Sequence, residues 1–309
     1  MTADWTKERA LLEKLEAIVG KEQVLLQEPM KKHTTFRIGG PADLFLQPTE
    51  IGQVAPVLEV LRAAGVPGFI LGNGSNLLVS DSGFRGAVVQ LDHKLQKLEM
   101  EGSVIRAEAG VLLSRLAACA RDHALTGLEF ASGIPGTLGG ACTMNAGAYG
   151  GEMKQVLKNV TILDENLQMR TIPAEELELG YRTSRIQKGG WIVLAAEIEL
   201  QQGDQAAIIE RMDELKEARV TKQPLEYPSA GSTFKRPEGY FAGKLIQDAG
   251  LRGYQVGGAA VSEKHCGFVI NRENATAADV CQLIRDVQKI VYEKFAVELE
   301  TEIRFLGFE

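Results

Sequence analysis

Residues 133–151, GIPGTLGGACTMNAGAYGG, place seven glycines in nineteen positions. Glycine loses more backbone freedom on folding than any other residue. A run this dense is therefore costly unless the chain must turn sharply there or let another group approach its backbone closely. A second run, GNGSN at 72–76, directly follows the apolar Phe69-Ile70-Leu71. Successive amide N–H groups in such a turn can cup phosphate oxygens, although GNGSN taken alone also reads as a turn between two strands. It is not a P-loop, because no Lys-Ser/Thr follows, and it is a poor Rossmann fingerprint, because Leu77 stands at the third position and a strand-like run follows. Two separated loops of this kind can jointly cover a dinucleotide pyrophosphate.

The texture around these loops suggests α+β. Leu11, Leu15, Ile18 and Val19 recur at helical spacing and stop at Gly20, predicting an opening helix over 6–19. Short β-rich runs broken by glycines fill 43–110, with one helix near 52–64, and another helix follows at 112–124. NVTILDENLQMRTIP reads as a hairpin turning at Asp164-Glu165-Asn166, and WIVLAAEIEL as a strand. After Leu200 the pattern changes to helices at 204–219 and 240–249, a β run at 254–271 and a long helix from 277. That last helix presents Val280, Leu283, Ile284, Val287, Ile290 and Val291 on one side and opens at Thr276-x-x-Asp279, a variant capping box. In the closing VELETEIRF, alternation puts Val297, Leu299, Ile303 and Phe305 on one face and Glu298, Glu300, Glu302 and Arg304 on the other. One of those carboxylates can face a site instead of solvent.

Charge narrows the partners. With 34 Lys and Arg against 41 Asp and Glu, the net charge is −7, which disfavours nucleic acid. Anionic small molecules remain compatible, since a few cations and backbone amides bind phosphate inside an acidic protein. The start lacks the basic leader and continuous apolar stretch of a signal peptide, and no apolar run is long enough to cross a bilayer. A cytoplasmic, monomeric protein without a membrane partner is expected. Cys119, Cys142, Cys266 and Cys281 form no C-x-x-C pair, so neither disulfides nor a metal are expected, and only His265 adjoins a cysteine.

Eight segments in order carry a further signal: HTTFRIGGPADLF (33–45), GNGSNLLVSD (72–81), GLEFASGIPGTLGGACTMNAGAYG (127–150), GYRTSR (180–185), AGSTFKRP (230–237), LIQDAGLRG (245–253), GGAAVSEKHCGFVIN (257–271) and ETEIRFLG (300–307). Together they resemble the UDP-N-acetylenolpyruvoylglucosamine reductases over nearly the whole chain. The resemblance implies an α+β fold with a vanillyl-alcohol-oxidase-type (PCMH-type) FAD-binding domain of two subdomains and a smaller C-terminal α+β substrate domain. It implies a helical segment over 1–32, the FAD domain over 33–200 with a split near 90–100, and a substrate domain over 201–309 whose last strand returns to the active site. Only 15 residues lie between Arg182 and Ile198, which implies the shorter type of the family, without the tyrosine-loop insertion.

The implied reaction takes hydride from NADPH onto non-covalently bound FAD and from flavin N5 to the enolpyruvyl methylene carbon of UDP-N-acetylglucosamine enolpyruvate. NADPH and the UDP-sugar take turns in one cleft. On this resemblance Ser232 is the proton donor, Arg182 the contact to substrate carboxylate and enolate oxygen, and Glu302 the carboxylate that completes the set. Lys222 meets the substrate diphosphate, and Lys235 or Arg236 assists. FAD falls to Gly72, Asn73, Gly74, Ser75, Asn76 and Leu77 in the first loop. In the second it falls to Ser132, Gly133, Ile134, Pro135, Gly136, Gly140, Ala141, Asn145, Ala146, Gly147 and Tyr149. Without the resemblance Ser232 reads as a turn serine, Arg182 as a surface arginine and Glu302 as a strand partner of Arg304. Two other readings compete: another FAD oxidoreductase of the same fold, told apart by fast reoxidation with oxygen, and a nucleotide-sugar binding protein that has lost flavin.

Overall fold

The structure, a computed structural model, describes residues 8–308. Helix α1 runs Arg9–Val19 and buries Leu11, Leu15 and Val19, as its spacing predicts; positions 6 and 7 of the expected helix lie outside the described residues. Strands β1 (Val24–Pro29), β2 (Pro41–Leu46), β3 (Gly68–Leu71) and β5 (Phe84–Gln90) form a sheet in the order β1-β2-β5-β3. Helix α2, Val54–Ala63, covers it with Val54, Val57, Leu58 and Leu61 and shares a core with α1. Strand β4, Leu77–Val79, leaves this sheet and pairs elsewhere.

A second sheet follows. Strands β6 (Leu98–Glu101), β7 (Val104–Glu108), β8 (Leu157–Leu163), β9 (Met169–Pro173) and β10 (Ile192–Glu199) lie in the order β9-β8-β10-β7-β6, all antiparallel. The hairpin β8–β9 turns where the sequence placed it: Asp164 Oδ1 accepts from the N–H groups of Asn166 and Gln168 at 2.9 and 3.0 Å, the side-chain mimicry that favours Asp in turns. Helices α3 (Leu113–Asp122) and α4 (Leu138–Met144) pack into this sheet's core through Leu113, Leu116, Leu138 and Cys142.

Helix α5 (Arg185–Gly189) bridges β9 and β10, and α6 spans Gln205–Lys222. Beyond it β11 (Ser229–Ser232), β12 (Gln255–Val256), β13 (Ala259–Val261) and β14 (Phe268–Asn271) form a sheet in the order β11-β14-β13-β12, flanked by α7 (Ala242–Asp248) and α8 (Ala277–Phe295). The expected stripe on α8 is buried at Val280, Leu283, Ile284, Val287 and Val291, with Ile290 at its margin; each such side chain contributes about 1.5–3 kcal/mol. The Thr276–Asp279 capping box is formed in both directions. Among the described residues no helix is long and apolar enough to cross a membrane.

Two connections join distant parts. Strand β15, Arg304–Leu306, pairs in parallel with β4. Asp81, at the end of the first glycine segment, accepts from the first N–H groups of α8, Ala277 at 2.8 Å and Ala278 at 3.0 Å, where backbone donors have no partner within the helix and negative charge is favoured. Asp81→Ala is expected to cost about 1–2 kcal/mol of stability, read as a lower urea midpoint at unchanged slope.

The expected phase of the last strand fails at Phe305. Leu299 and Ile303 are buried, but Phe305 is 40% exposed and Leu306 is buried in its place. The cause is a change of partner. Residues 300–302 bond to 233–235, with Lys235 N–H to Glu300 O and Glu302 N–H to Thr233 O, both 2.8 Å, and residues 304–306 then bond to β4.

Candidate active site

The two glycine loops line one cleft of about 1600 Å³. A pocket for a single small ligand is roughly 300–1000 Å³, so this cleft has room for a dinucleotide and a second ligand. The first loop leaves β3 and doubles back at Gly74, whose φ is +61° and whose added Cβ would stand 2.1 Å from the His33 carbonyl oxygen. Only glycine fits that approach. At Gly72 a Cβ would meet Thr137 Oγ1 at 2.5 Å, and Asn73 donates to Pro135 O at 2.7 Å. The loops are thus fastened to each other where they line the cavity.

Sixteen of the seventeen residues expected to meet the cofactor line this cleft; Asn145 does not. Asn145 ends α4 at φ +46° and is 1% exposed, its side chain spent on Glu152, the Gly180 carbonyl and the Lys154 amide at 2.9–3.0 Å. It shapes the loop from behind. Gln187, which sequence reasoning did not single out, also lines the cleft, and its buried Oε1 has no hydrogen-bond partner among the described residues.

Ser232, Arg182 and Glu302 come together from three separate stretches. Arg182 Nε donates to Glu302 Oε1 at 2.6 Å, and a second guanidinium nitrogen donates to Gly147 O at 3.1 Å. The partner of Glu302 is therefore Arg182, not Arg304. The side chains are only 22% and 13% exposed, so solvent screens this pair less than a surface one. Burial pushes the Glu302 carboxyl above its ordinary range, and Arg182 and Lys235 pull it back only in part. Asn76 holds the same segment from the first loop: its Nδ2 donates to Glu302 O at 3.1 Å and its carbonyl accepts from Arg304 N–H at 3.0 Å. Because Glu302 N–H bonds to Thr233 O, neighbouring Ser232 is delivered to the same cleft, where it is exposed.

The cations divide. Lys222, at the end of α6, lines the cleft. Lys235 is not among the lining residues; it pairs with Glu300 and still lies near enough to Glu302 to lower its pKa. Sequence reasoning missed Arg219, one turn before Lys222. Its half-buried guanidinium lies 5.8 Å from the Tyr149 ring centroid, and burial draws it below the usual arginine range. No ion-pair partner of Arg219 occurs among the described residues. A Cβ on Gly133 would lie 2.7 Å from its Nε, so that glycine leaves room for the guanidinium. The i,i+3 spacing of Arg219 and Lys222 was the available signal. His265 lines the cleft as well; its Nδ1 accepts from Gly267 N–H at 3.1 Å, and burial holds it toward the neutral form.

Seven Arg and Lys side chains line the cleft, against Asp213, Glu226 and Glu302. A net-acidic chain has thus concentrated positive charge in one cavity lined by two glycine-rich loops, which suits a phosphate-bearing ligand. The comparisons decide the family. A profile for the C-terminal domain of UDP-N-acetylenolpyruvoylglucosamine reductase matches residues 223–306, and one for an FAD binding domain matches 42–171. The reductase of Alkaliphilus oremlandii is 54% identical over 96% of this chain and 97% of its own. The chain belongs to the UDP-N-acetylenolpyruvoylglucosamine reductase family. The Caldanaerobacter subterraneus enzyme of that name is also 54% identical, over 96% and 98% of the two chains. The crystal structure of the Thermus caldophilus enzyme superposes at a TM-score of 0.79 with 36% identity, over 92% of this chain and 98% of that one. The protein is an FAD-dependent oxidoreductase, and its fold is the α+β, vanillyl-alcohol-oxidase type expected from the sequence. The cleft fits that cofactor: two glycine-rich loops line it with little side-chain bulk, and Arg219 and Gln187 offer a charge and an acceptor that no described side chain satisfies.

Proposed function

We propose that the chain reduces UDP-N-acetylglucosamine enolpyruvate to UDP-N-acetylmuramate with NADPH as electron source, a cytoplasmic step toward peptidoglycan carried out by a monomer. The observation that carries the reading is the Arg182–Glu302 pair beside Ser232 in a cationic cleft walled by both glycine loops. FAD, which the two glycine loops would hold without a covalent bond, would supply the two-electron relay between NADPH and the enolpyruvyl methylene carbon.

The chain supplies the rest. Hydride addition leaves negative charge on the carbon beside the carboxylate and on its oxygens. Arg182, fixed on two sides, presents its planar fork to that charge without having to reorganise. Ser232 gives its hydroxyl proton to the carbanionic carbon, completing the addition of two hydrogens across the double bond. Lys222 and Arg219 meet anionic phosphate groups. In this assignment residues 33–200 hold the cofactor, with a subdomain break near 90–100, and 201–309 hold the UDP-sugar, with Glu302 returned to the cleft by the last strand.

Glu302 has to be ionised to hold Arg182. Its folded-state carboxyl takes up a proton at a higher pH than an ordinary glutamate, because burial outweighs Arg182 and Lys235. As pH falls through that raised value the ion pair is lost and substrate reduction slows, so the acidic limb of its rate lies above the ordinary glutamate range. Glu302→Gln is expected to be slow at every pH and to lack that limb, as a pH series of single-turnover rates would show.

The reaction itself is tested by following NADPH absorbance with and without UDP-N-acetylglucosamine enolpyruvate in the absence of oxygen, with the product's mass read alongside. Substrate-dependent NADPH loss and a product carrying two added hydrogens are expected. NADPH loss that ignores the UDP-sugar and tracks oxygen would replace this reading with an oxidase.

A further inference from the structure

Tyr181 stands beside the ion pair yet has no part in the chemistry above. Gly180 and Thr183 exchange backbone hydrogen bonds at 3.1 and 3.3 Å, so Tyr181 and Arg182 are the central residues of a tight turn. Arg182 takes φ +54° there, at the second central position, where a positive φ normally selects glycine or asparagine. A bulky residue stays in left-handed backbone only where its surroundings over-determine it.

Two of those restraints are Glu302 and the Gly147 carbonyl. The third is Tyr181. Its ring centroid lies 5.3 Å from the Arg182 guanidinium carbon, and its hydroxyl accepts the backbone N–H of Arg236 at 3.2 Å. The residue is 55% exposed, so burial of apolar surface does not account for its placement. Arg236 is itself anchored, with its guanidinium 3.9 Å from the Phe241 ring centroid and its Nε donating to Tyr240 O at 3.3 Å. It lies in the segment of Ser232, whose Thr233 and Lys235 bond to residues 300–302. A continuous path of contacts thus runs from the Arg182 fork through Tyr181 to the stretch that carries the hydroxyl.

We infer that Tyr181 is a positioning residue, which fixes the Arg182 fork and ties it to the Ser232 segment so that guanidinium and hydroxyl address one substrate group together. This rests on the reductase reaction proposed above. Tyr181 acts through Arg182, so its loss falls on the step that needs the fork and spares the filling of the flavin with electrons.

The experiment uses holoenzyme of the wild type, Tyr181→Phe and Tyr181→Leu, all flavin-loaded. Enzyme reduced anaerobically with dithionite is mixed with rising concentrations of UDP-N-acetylglucosamine enolpyruvate, and reduction of oxidised enzyme by NADPH is timed separately. For Tyr181→Leu the limiting reoxidation rate is expected to fall about 10–100-fold, the scale of a misplaced catalytic group. Flavin reduction by NADPH should stay within about twofold of wild type, since that step does not use the fork. Tyr181→Phe keeps the ring against Arg182 but loses the acceptor that ties the turn to Arg236, and should fall between wild type and leucine. A leucine variant with the wild-type limiting rate, equal slowing of both half-reactions, or a phenylalanine variant no faster than leucine would each overturn the assignment. A wild-type flavin that the UDP-sugar leaves reduced overturns the reaction and the tyrosine's role together, and only that outcome appears before any variant is compared.

Discussion

Ser232→Ala is expected to leave flavin reduction by NADPH intact while slowing reoxidation by UDP-N-acetylglucosamine enolpyruvate by about 10²–10⁴-fold, the range contributed by one positioned proton donor. The expectation comes from how the serine is held. It ends β11, and the next residue, Thr233, is clamped three times: its carbonyl by Glu302 N–H, its N–H by the Gly267 carbonyl and its hydroxyl by Val269 N–H, at 2.8–2.9 Å. Thr233 is buried and Ser232 exposed to the cleft, so the alanine variant loses one hydroxyl and little packing, and its melting temperature should barely move. Stopped-flow absorbance separates the two half-reactions. Equal rates for wild type and variant in the second half-reaction would remove Ser232 from its role.

Gly74→Ala is expected to strip the protein of most of its flavin. The φ of +61° costs a side chain about 1–2 kcal/mol, and the new Cβ would lie 2.1 Å from the His33 carbonyl oxygen and 2.9 Å from Thr34 Cα, both backbone atoms that cannot rotate aside. Overpacking of this kind costs about 1–3 kcal/mol more. The loop must therefore move, and with it the amides of residues 72–77. Flavin affinity should fall by about 10²-fold, on the scale of ~2.7 kcal/mol, as measured by quenching of flavin fluorescence during reconstitution of apoprotein. Gly52→Ala is the control, because nothing lies within 4 Å of its added Cβ and its φ is not positive. A Gly74→Ala protein purified with full flavin content would mean that this loop does not grip the cofactor.

The helices were legible because burial imposes a period: α1 and α8 bury the residues that 3.6-residue spacing selects, and the capping box at Thr276 marks where α8 begins. The glycine loops were legible as loops with a purpose, since so many glycines are too costly to be filler. The gathering of Ser232, Arg182 and Glu302 was not legible from spacing. It depends on pairings between residues more than fifty positions apart, and only the resemblance to a family connected them. Phe305 was misplaced because alternation assumes one partner along a strand, whereas the chain changes from 233–235 to β4 between Glu302 and Arg304. Asn145 came with the resemblance as one member of a whole stretch, and what no spacing signals is that its side chain turns inward to three internal partners. Arg219 was passed over because a helical arginine ordinarily lies in solvent; its burial is set by Gly133 and Tyr149, which come from another part of the chain.

The central claim is that one cleft brings a flavin and an enolpyruvyl sugar nucleotide to the same three side chains. It is tested most directly by reducing the holoenzyme anaerobically with NADPH, removing excess nucleotide, and adding one equivalent of UDP-N-acetylglucosamine enolpyruvate. The oxidised flavin spectrum should return in full with stoichiometric UDP-N-acetylmuramate. A flavin that stays reduced until air is admitted would contradict the account.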